Sequence, residues 1–357
     1  MQLIKIDGSI GEGGGSIVRL STALATVTQE PVEVYNIRAK RDNPGLRPQH
    51  LEGLKALAKL CNGKLEGGEI GSTKITLNPN QVQGKKIGVR IKTAGSIGLV
   101  LQSLMIPAPL ADSEVKIEFE GGATDTFFAP PIDYLNNVTL PTLRKMGYQG
   151  EVEQIRRGHY PKGGGIVRSQ IQPLKKLKSL KLTEPGKIKS VQGISHCVKL
   201  PGRIAEKQAS SAKRILSKAG YDAEIEVETY KKSEDPHLSP GTGIVLWAET
   251  ENEVILGSSA LGKKGKPAEK VGREAAENLV KQLETGCAVD QHLTDQLIPY
   301  LALAEGESEI TSAELTSHTL TNIELVKQIL GTEFEVDGEK GEPGRIQAKG
   351  RSDSAKT

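Results

Sequence analysis

The sequence predicts a mixed α/β (α+β) protein in which a core of three repeated units carries a smaller inserted α/β domain. One observation is internal repetition: three segments share the order helix, short turn, strand, loop with Pro or Thr, and second helix. The other is a break in that order over residues 185–284, where the predicted strands and helices follow one another in a different order. We therefore expect core residues at 1–184 and 285–337, with the start of the third unit lying before the insertion.

The first unit opens with the strand pattern "LIKID" and the glycine loop "GSIGEGGGS", residues 8–16. Apolar residues at helical spacing mark its two helices: Ile17, Leu20, Leu24 and Val27 in the first, and Leu51, Leu54 and Leu57 in the second. A glycine loop before a helix can cradle phosphate, but Ser16 stands where the GxGxxG pattern needs a third glycine, and no Lys-Ser/Thr pair completes a P-loop. A tight turn for close packing is the alternative. Glu12, a carboxylate at a helix N-terminus, is a candidate ligand of a metal ion or a ribose hydroxyl.

Basic residues cluster later in the same unit, within "IRAKRDNPGLRPQH" at residues 37–50. They are Arg38, Lys40, Arg41 and Arg47. Guanidinium groups beside Gly and Pro turns suit bidentate contacts to phosphate. A solvated charged face is the alternative, because most basic runs are of that kind.

The repeated order also relates the three leading helices to one another. Alignment by this order places Arg19, Gln102 and Gln296 at equivalent positions. Equivalent positions of stacked repeats can face a common centre. We therefore expect these polar side chains to converge.

His318 lies within "ELTSHTLTNIELV", residues 314–326, in the third unit. Apolar residues at helical spacing follow it, and Thr321 with Glu324 matches a capping box, so a helix is predicted to begin just after the histidine. A helix N-terminus offers unpaired N–H groups that attract phosphate. His318 is therefore a candidate nucleophile beside an anion site; a capping or packing histidine is the alternative.

The remaining segments carry weaker signals. Lone His196 and His237, in the interval predicted to be inserted, are expected to be structural or surface histidines. From Gly338 onward no apolar periodicity is visible, so residues 338–357 are predicted to form a mobile tail.

Composition indicates a globular protein of 357 residues, with 36% hydrophobic and 25% charged residues. No apolar run approaches the roughly twenty residues that span a bilayer, and the N-terminus lacks the form of a signal peptide. Cys61, Cys197 and Cys287 are far apart and form no CxxC pair, so the cysteines indicate neither a disulfide framework nor a structural zinc site. We expect a reduced, cytoplasmic protein without a membrane partner. An oligomer is compatible with this composition.

Five segments, in this order, resemble the RNA 3'-terminal phosphate cyclase family: "GEGGGSIVR", "RAKRDNPGLRPQH", "RGHYPKGGGIV", "HLTDQL" and "TSHTLTNI". The resemblance runs through residue 336, and "RGHYPKGGG" is its most specific segment. It implies a core of three βαβαββ-like units, each similar to the C-terminal domain of a bacterial translation initiation factor. It also implies that the inserted domain has a thioredoxin-like topology.

The activity implied by the resemblance is ATP-dependent closure of an RNA end. In that family a histidine attacks the α-phosphate of ATP, AMP passes to the RNA 3'-phosphate, and the adjacent 2'-hydroxyl displaces AMP. The product is a 2',3'-cyclic phosphodiester, with release of AMP and pyrophosphate. The implied cofactors are ATP and Mg²⁺ or Mn²⁺, and the implied partner is RNA with a 3'-terminal phosphate.

Family functions carry over to matching residues of this chain. His318 matches the adenylylated histidine, and Glu12 matches a catalytic carboxylate tied to the metal. Residues matched to ATP contacts are Gln102, His292, Leu293, Thr294, Asp295 and Gln296. Residues matched to phosphate contacts are Arg19, Arg38, Arg41, Gln49 and His50. At His292 the family has an aromatic ring stacked on adenine, and imidazole offers less stacking area.

Two alternative functions remain for this architecture. A non-catalytic cyclase-like protein of ribosome assembly lacks the nucleophilic histidine, so His318 argues for the enzyme. A small-molecule transferase of the enolpyruvyl type would explain the arginines by an anionic substrate, but it leaves His318 and "RGHYPKGGG" unexplained.

Overall fold

The first of three similar units lies at the N-terminus of the computed structural model, which describes residues 3–350. Its elements are β1 (Ile4–Asp7), α1 (Gly15–Thr28), β2 (Val32–Tyr35), α2 (Pro48–Leu60), β3 (Lys64–Glu66) and β4 (Ile75–Asn78). The strands form one sheet in the order β1-β2-β4-β3. β1 and β2 are parallel, and the other neighbours are antiparallel.

The second unit repeats this arrangement with a longer second helical segment. Its elements are β5 (Lys86–Ser96), α3 (Ile97–Met105), a 3₁₀ turn (Ala108–Leu110), β6 (Val115–Ala123), α4 (Ile132–Tyr134), a π-helical turn (Leu135–Thr139), α5 (Leu140–Lys145), β7 (Gly150–Arg156) and β8 (Ile166–Ile171). The sheet order is β5-β6-β8-β7, with β5 and β6 parallel and the other pairs antiparallel.

A fourth sheet occupies the interval predicted to be inserted. After the short strands β9 (Leu177–Lys178) and β10 (Lys181–Leu182) come β11 (Ile188–Val198), α6 (Arg203–Lys218), β12 (Ala223–Thr229), β13 (Gly241–Thr250), β14 (Ile255–Leu261) and α7 (Ala268–Glu284). The sheet order is β12-β11-β13-β14. α6 and α7 pack on each other and on this sheet, while α4 contacts β13 and β14. The domain boundaries at 185 and 284 and the thioredoxin-like topology stay predictions.

The third unit combines β10 with the C-terminal part of the chain. Its other elements are α8 (Gln291–Leu303), β15 (Ala304–Glu305), β16 (Glu307–Ser312), α9 (Ser317–Leu330), β17 (Glu333–Asp337) and β18 (Gly344–Lys349). The main sheet has the order β10-β16-β18-β17, and β15 pairs with β9 separately. Only β10 and β16 are parallel in the main sheet. All three units therefore share one strand order and one pairing pattern, and the predicted mixed α/β (α+β) class is confirmed.

The tail predicted from Gly338 onward is wrong for the residues of β18. This strand lies between β16 and β17 and completes the third sheet. Ile346 and Ala348 point into the core, where they are buried. Two alternating apolar residues are too few to reveal a strand when only helical periodicity is sought. Residues 351–357 of the predicted tail lie outside the described part of the chain.

The helices of different units pack against one another and so bring distant parts of the sequence together. α1 contacts both α2 and α9, and α9 contacts α8. Buried apolar residues such as Ile17, Leu24 and Val326 fill these contacts. Because α1, α8 and α9 meet, their N-terminal ends can supply one site.

Two further observations concern membrane-spanning helices and the state of the cysteines. Within residues 3–350, no helix has both the length and the apolar character needed to cross a bilayer. Cys61, Cys197 and Cys287 are free thiols.

Candidate active site

The glycine loop between β1 and α1 is held by close contacts on two sides. Gly11 has a φ of +50°, and a Cβ there would lie 2.1 Å from Oγ1 of Thr321 in α9. A Cβ at Gly15 would lie 2.2 Å from Nε2 of His50 in α2. Any larger residue at these two positions would displace a neighbour, so close packing explains the glycines. The N-cap residue Gly14 has no side chain to cap α1, which leaves backbone N–H groups of its first turn available to an anion.

Glu12, at the centre of this loop, contacts His318. Its Oε2 lies 2.9 Å from Nε2 of the imidazole. The two side chains are 30% and 47% exposed, respectively, so a ligand in solvent can reach both. Oε1 of Glu12 has no hydrogen-bond partner within residues 3–350 and is the atom through which the carboxylate could hold a metal ion.

The start of α9 differs from the prediction. Thr316, and not Thr321, is the N-cap residue, and its side chain accepts a hydrogen bond from the N–H of Thr319. His318 is therefore in the first turn of the helix instead of preceding it. Thr321 lies inside the helix, where its hydroxyl donates to the carbonyl of Ser317. Thr316 and Thr321 are each followed by helix-forming residues, so either could be the N-cap residue. The sequence alone therefore could not assign the start of the helix.

Asp295 of α8 fixes this first turn of α9. Its Oδ1 accepts hydrogen bonds from Oγ1 of Thr316 (2.6 Å) and Oγ1 of Thr319 (2.5 Å), and its carbonyl accepts one from Asn322 (3.0 Å). Burial raises the pKa of the Asp295 carboxyl, and the two threonine hydroxyls act in the opposite direction. Asp295 is thus a positioning residue for His318.

A cavity of about 560 Å³ opens beside His318. Six residues predicted for the site line it: Arg19, Gln102, His292, Asp295, Gln296 and His318. Pockets of roughly 300–1,000 Å³ hold ligands of nucleotide size. Leu293 and Thr294, also predicted to contact ATP, do not line it and are fully buried. Helical spacing explains this difference, because positions 292, 295 and 296 share one face of α8 and positions 293 and 294 face the core.

The polar residues from equivalent helix positions meet in this cavity. Nε2 of Gln102 donates a hydrogen bond to Oε1 of Gln296 at 2.8 Å, and Oγ1 of Thr139 donates to the same oxygen at 2.8 Å. Arg19 lines the same cavity. Its guanidinium pairs with no carboxylate within residues 3–350. Burial lowers the pKa of Arg19 to about 10, which leaves the group positively charged at neutral pH.

Aromatic residues at the mouth of the cavity were missed by sequence reasoning. Phe127 and Phe128 are exposed, and both belong to the cavity lining together with Pro130 and Pro131. The available signal was "TFFAPP", in which two of the four phenylalanines of the chain stand outside any apolar periodicity. The ring of His292 is also exposed and meets Tyr134 edge-on, with 6.4 Å between ring centroids.

The predicted phosphate residues lie beside the glycine loop. Nη2 of Arg41 is 3.3 Å from the place a Cβ would take at Gly14. Arg38 is partly turned inward, since its Nη1 donates to the carbonyls of Asn43 (2.5 Å) and Gly45 (3.0 Å). Within residues 3–350, no ion pair links either arginine to a carboxylate. The positive charge of this region is therefore available to an anion.

His50 is a neutral hydrogen-bond donor in this group. Burial, together with the charges of Arg19, Arg38 and Arg47, lowers the pKa of His50 to about 3. Its Nδ1 accepts a hydrogen bond from the Arg47 N–H, so the proton of the ring is on Nε2, which faces Gly15.

Gln49, also predicted to contact phosphate, makes a structural contact. Its Oε1 accepts a hydrogen bond of 2.8 Å from the N–H of Ser96, the N-cap residue of α3. This contact joins α2 of the first unit to α3 of the second. The side-chain amide is thereby held in one orientation.

Comparison with known proteins places nearly the whole chain in one family. A family model described as RNA 3'-terminal phosphate cyclase matches residues 10–336. Proteins named RNA 3'-terminal phosphate cyclase from Methanopyrus kandleri and Pyrococcus furiosus are 49% and 50% identical, covering 98% and 97% of this chain and 99% and 98% of theirs. A solved enolpyruvyl transferase, NikO from Streptomyces tendae, matches at 14% identity and a TM-score of 0.26, over 48% of this chain and 33% of its own, which is too weak to indicate a shared fold or function. The chain belongs to the RNA 3'-terminal phosphate cyclase family.

Proposed function

We propose that this protein converts the 3'-terminal phosphate of RNA into a 2',3'-cyclic phosphodiester, using ATP and releasing AMP and pyrophosphate. The observation that carries the proposal is the contact between Glu12 and His318 at the edge of the cavity. This pair unites an exposed nucleophile, a carboxylate and a helix N-terminus, as adenylyl transfer to a histidine requires. A cytoplasmic location is part of the same proposal and rests on the composition.

His318 is the nucleophile of the first step. A ring nitrogen forms a bond to the α-phosphorus of ATP, the bond from that phosphorus to the bridging oxygen breaks, and pyrophosphate leaves. Glu12 fixes the orientation of the imidazole through its contact with Nε2, while Asp295 fixes the helix turn that carries the ring. A Mg²⁺ or Mn²⁺ ion, held through the Glu12 carboxylate, would supply charge neutralisation at the phosphates.

The cavity residues bind the nucleotide before this step. His292 and the exposed ring of Phe127 offer faces for the base, and Gln102 with Gln296 offers polar contacts near it. Arg19 supplies positive charge at the same cavity.

The residues beside the glycine loop hold the RNA end. Arg38, Arg41 and the neutral Nε2–H of His50 donate hydrogen bonds to its phosphates, with Gln49 beside them. AMP passes from the histidine to the 3'-phosphate, and the neighbouring 2'-hydroxyl then attacks that phosphorus and displaces AMP. Since the contacts are to phosphate and sugar, the enzyme should read the RNA end without regard to its bases.

The alternative functions fit the site less well. A non-catalytic protein of ribosome assembly would not require an exposed histidine in contact with a carboxylate beside a cavity. An enolpyruvyl-type transferase would use the arginines but not His318.

Retention of label from ATP on the protein tests the proposal. After incubation with α-labelled ATP and Mg²⁺, the wild-type protein should carry an acid-labile label, and His318→Asn should carry none. Ser317→Ala, altered one residue away in the same helix turn, is the matched control and should remain labelled. An equal label on His318→Asn would place the nucleophile elsewhere.

A further inference from the structure

A second cluster of ionisable residues is buried where the second unit meets the sheet of β11–β14. It consists of Asp125, which follows β6, His159, which belongs to the "RGHYPKGGG" segment, and His196 in β11. Their side chains are 2%, 4% and 0% exposed, respectively. One ligand atom of each residue lies within 4.8 Å of those of the other two. Asp125 also lines the cavity beside His318, whereas His159 and His196 do not.

Three of the four imidazole nitrogens in this cluster are buried without a hydrogen-bond partner in the described part of the chain. Nε2 of His159 and both ring nitrogens of His196 are buried without a partner among the described residues. Burying an unsatisfied polar group destabilises the folded state, so three such atoms in one place call for a ligand.

The distances suit a shared cation better than direct hydrogen bonds. Nε2 of His159 lies 3.9 Å from Oδ2 of Asp125, and Nε2 of His196 lies 3.8 Å from its Oδ1. Two atoms that both bind one ion at roughly 2.0–2.2 Å can be about 4.3 Å apart at most, so both pairs fall within reach of a common ion. The third pair, a ring nitrogen of His159 and one of His196, lies within 4.8 Å.

The charges around the cluster also favour a cation. The guanidinium of Arg157 contacts three carboxylates, those of Asp125 (3.5 Å), Asp133 (2.7 Å) and Glu228 (2.6 Å), so acidic groups outnumber basic ones in a buried region. Burial raises the pKa of Asp133, which reduces but does not remove this excess.

Strand β13 leaves room for both rings. A Cβ at Gly241 would lie 2.0 Å from Cγ of His159, and one at Gly243 would lie 3.1 Å from Cε1 of His196. Nε2 of the nearby His237 is also buried without a partner among the described residues.

We propose that Asp125, His159 and His196 bind a divalent transition-metal ion of the zinc class, which joins the β11–β14 sheet to the second unit. Two imidazoles and a carboxylate suit Zn²⁺ and its neighbours in the first transition row better than Mg²⁺, which prefers oxygen ligands and retains water. Because two ligands come from the core and one comes from β11, the ion stabilises the contact between these two parts of the chain. The proposal is independent of the activity at His318.

Metal content of the full-length protein, prepared without an affinity tag, tests this site. The protein is stripped with a chelator, incubated with Zn²⁺, desalted and analysed by mass spectrometry of the metal. The wild type should retain about one equivalent, and Asp125→Asn and His196→Asn should each retain less than about a tenth of one. One control should retain the wild-type amount: His292→Asn, which removes an exposed histidine.

Two measurements on the wild type keep the test decisive if a buried substitution prevents folding. Zn²⁺ should raise the melting temperature of the stripped protein, and a chelator should reverse the shift. X-ray absorption at the zinc edge should show only nitrogen and oxygen ligands. The proposal would be overturned if the wild type neither retained zinc nor showed a thermal shift. It would also be overturned by sulfur ligands in the absorption spectrum, or by an undiminished zinc content in folded Asp125→Asn.

Discussion

Oε2 of Glu12 lies 2.9 Å from Nε2 of His318, so the first glycine loop and the last long helix of the described chain meet at the candidate nucleophile. The contact is partly exposed, and pairs of this kind contribute little to stability. Its value to the protein is therefore geometric, because it fixes the imidazole beside a cavity and a helix N-terminus. The effects of Glu12 on activity and on stability should then separate.

Glu12→Gln tests this separation. The amide keeps the shape of the side chain but loses the charge, so formation of the His318 adduct should slow roughly ten- to a hundredfold, which corresponds to the about 1.5–3 kcal/mol of a charge-assisted contact. The free energy of unfolding in urea should change by less than about 0.5 kcal/mol. Glu52→Gln is the control, since Glu52 has the same 30% exposure and a lysine partner on α2. Equal adduct rates in the two variants would contradict the assignment.

The arginines beside the glycine loop should matter for the RNA end and not for the fold. Arg38→Ala with Arg41→Ala removes two proposed phosphate contacts. Each charge-assisted contact contributes about 1.5–3 kcal/mol, so turnover of RNA with a 3'-terminal phosphate should fall at least tenfold. The melting temperature should change little. Arg90→Ala, which removes an exposed arginine from another sheet, should leave turnover unchanged. Unchanged turnover in the double variant would make these arginines part of a solvated surface.

Substitutions of Thr294 and His292, two positions apart in α8, should affect different properties: stability in the first case and ATP binding in the second. Thr294 is buried, and its hydroxyl donates to the carbonyl of Asp290 and contacts Ser312 at 2.8 Å. Thr294→Val should therefore lower the free energy of unfolding by about 1–3 kcal/mol and leave KM for ATP unchanged. His292→Ala should leave stability unchanged and raise KM for ATP, since the ring faces the cavity. A larger change of KM in Thr294→Val would restore Thr294 to the nucleotide site.

The contrast between these two residues shows how far the sequence could predict the site. The repeated order of elements correctly related Gln102 to Gln296, because equivalent helix positions of stacked units face the same centre. A contiguous motif such as "HLTDQ" does not show which of its side chains share a face until the helix is known. The matched run therefore contained two core residues, Leu293 and Thr294.

Long-range packing accounts for the other differences. β18 is a strand because β16 and β17 lie on either side of it, and nothing in its six residues specifies those neighbours. The cluster of His159 and His196 arises where two parts of the chain meet, so each histidine is isolated in the sequence. Contacts of this kind depend on tertiary structure and leave no local pattern.

His50 should make stability depend on pH in a defined direction. Its pKa is about 3 in the folded protein, against 6.5 for an ordinary histidine, so the unfolded chain binds more protons between these pH values. The free energy of unfolding should consequently fall as pH decreases from 6.5 toward 3. Relative to His50→Asn, the wild type should lose roughly 1–2 kcal/mol between pH 6.5 and 5, measured by urea unfolding at each pH. Parallel curves for the two proteins would show that burial does not keep His50 neutral.

Ring closure requires two particular chemical groups at the RNA end. Closure requires a 2'-hydroxyl next to an activated 3'-phosphate, and transfer of AMP to that phosphate turns a poor leaving group into a good one. An RNA that ends in a 3'-hydroxyl offers no phosphate to activate and should cause no consumption of ATP beyond the single equivalent that forms the His318 adduct. A strand with a 3'-phosphate on a terminal 2'-deoxy nucleotide can accept AMP but has no nucleophile for closure. We therefore expect cyclic product only from the ribose end, and accumulation of an adenylylated end on the 2'-deoxy strand, both resolved by gel electrophoresis of labelled strands.

His318→Asn should form neither species, which is the control for transfer through the histidine. Cyclic product from the ribose end without any adenylylated 2'-deoxy strand would mean that closure does not proceed through an activated phosphate.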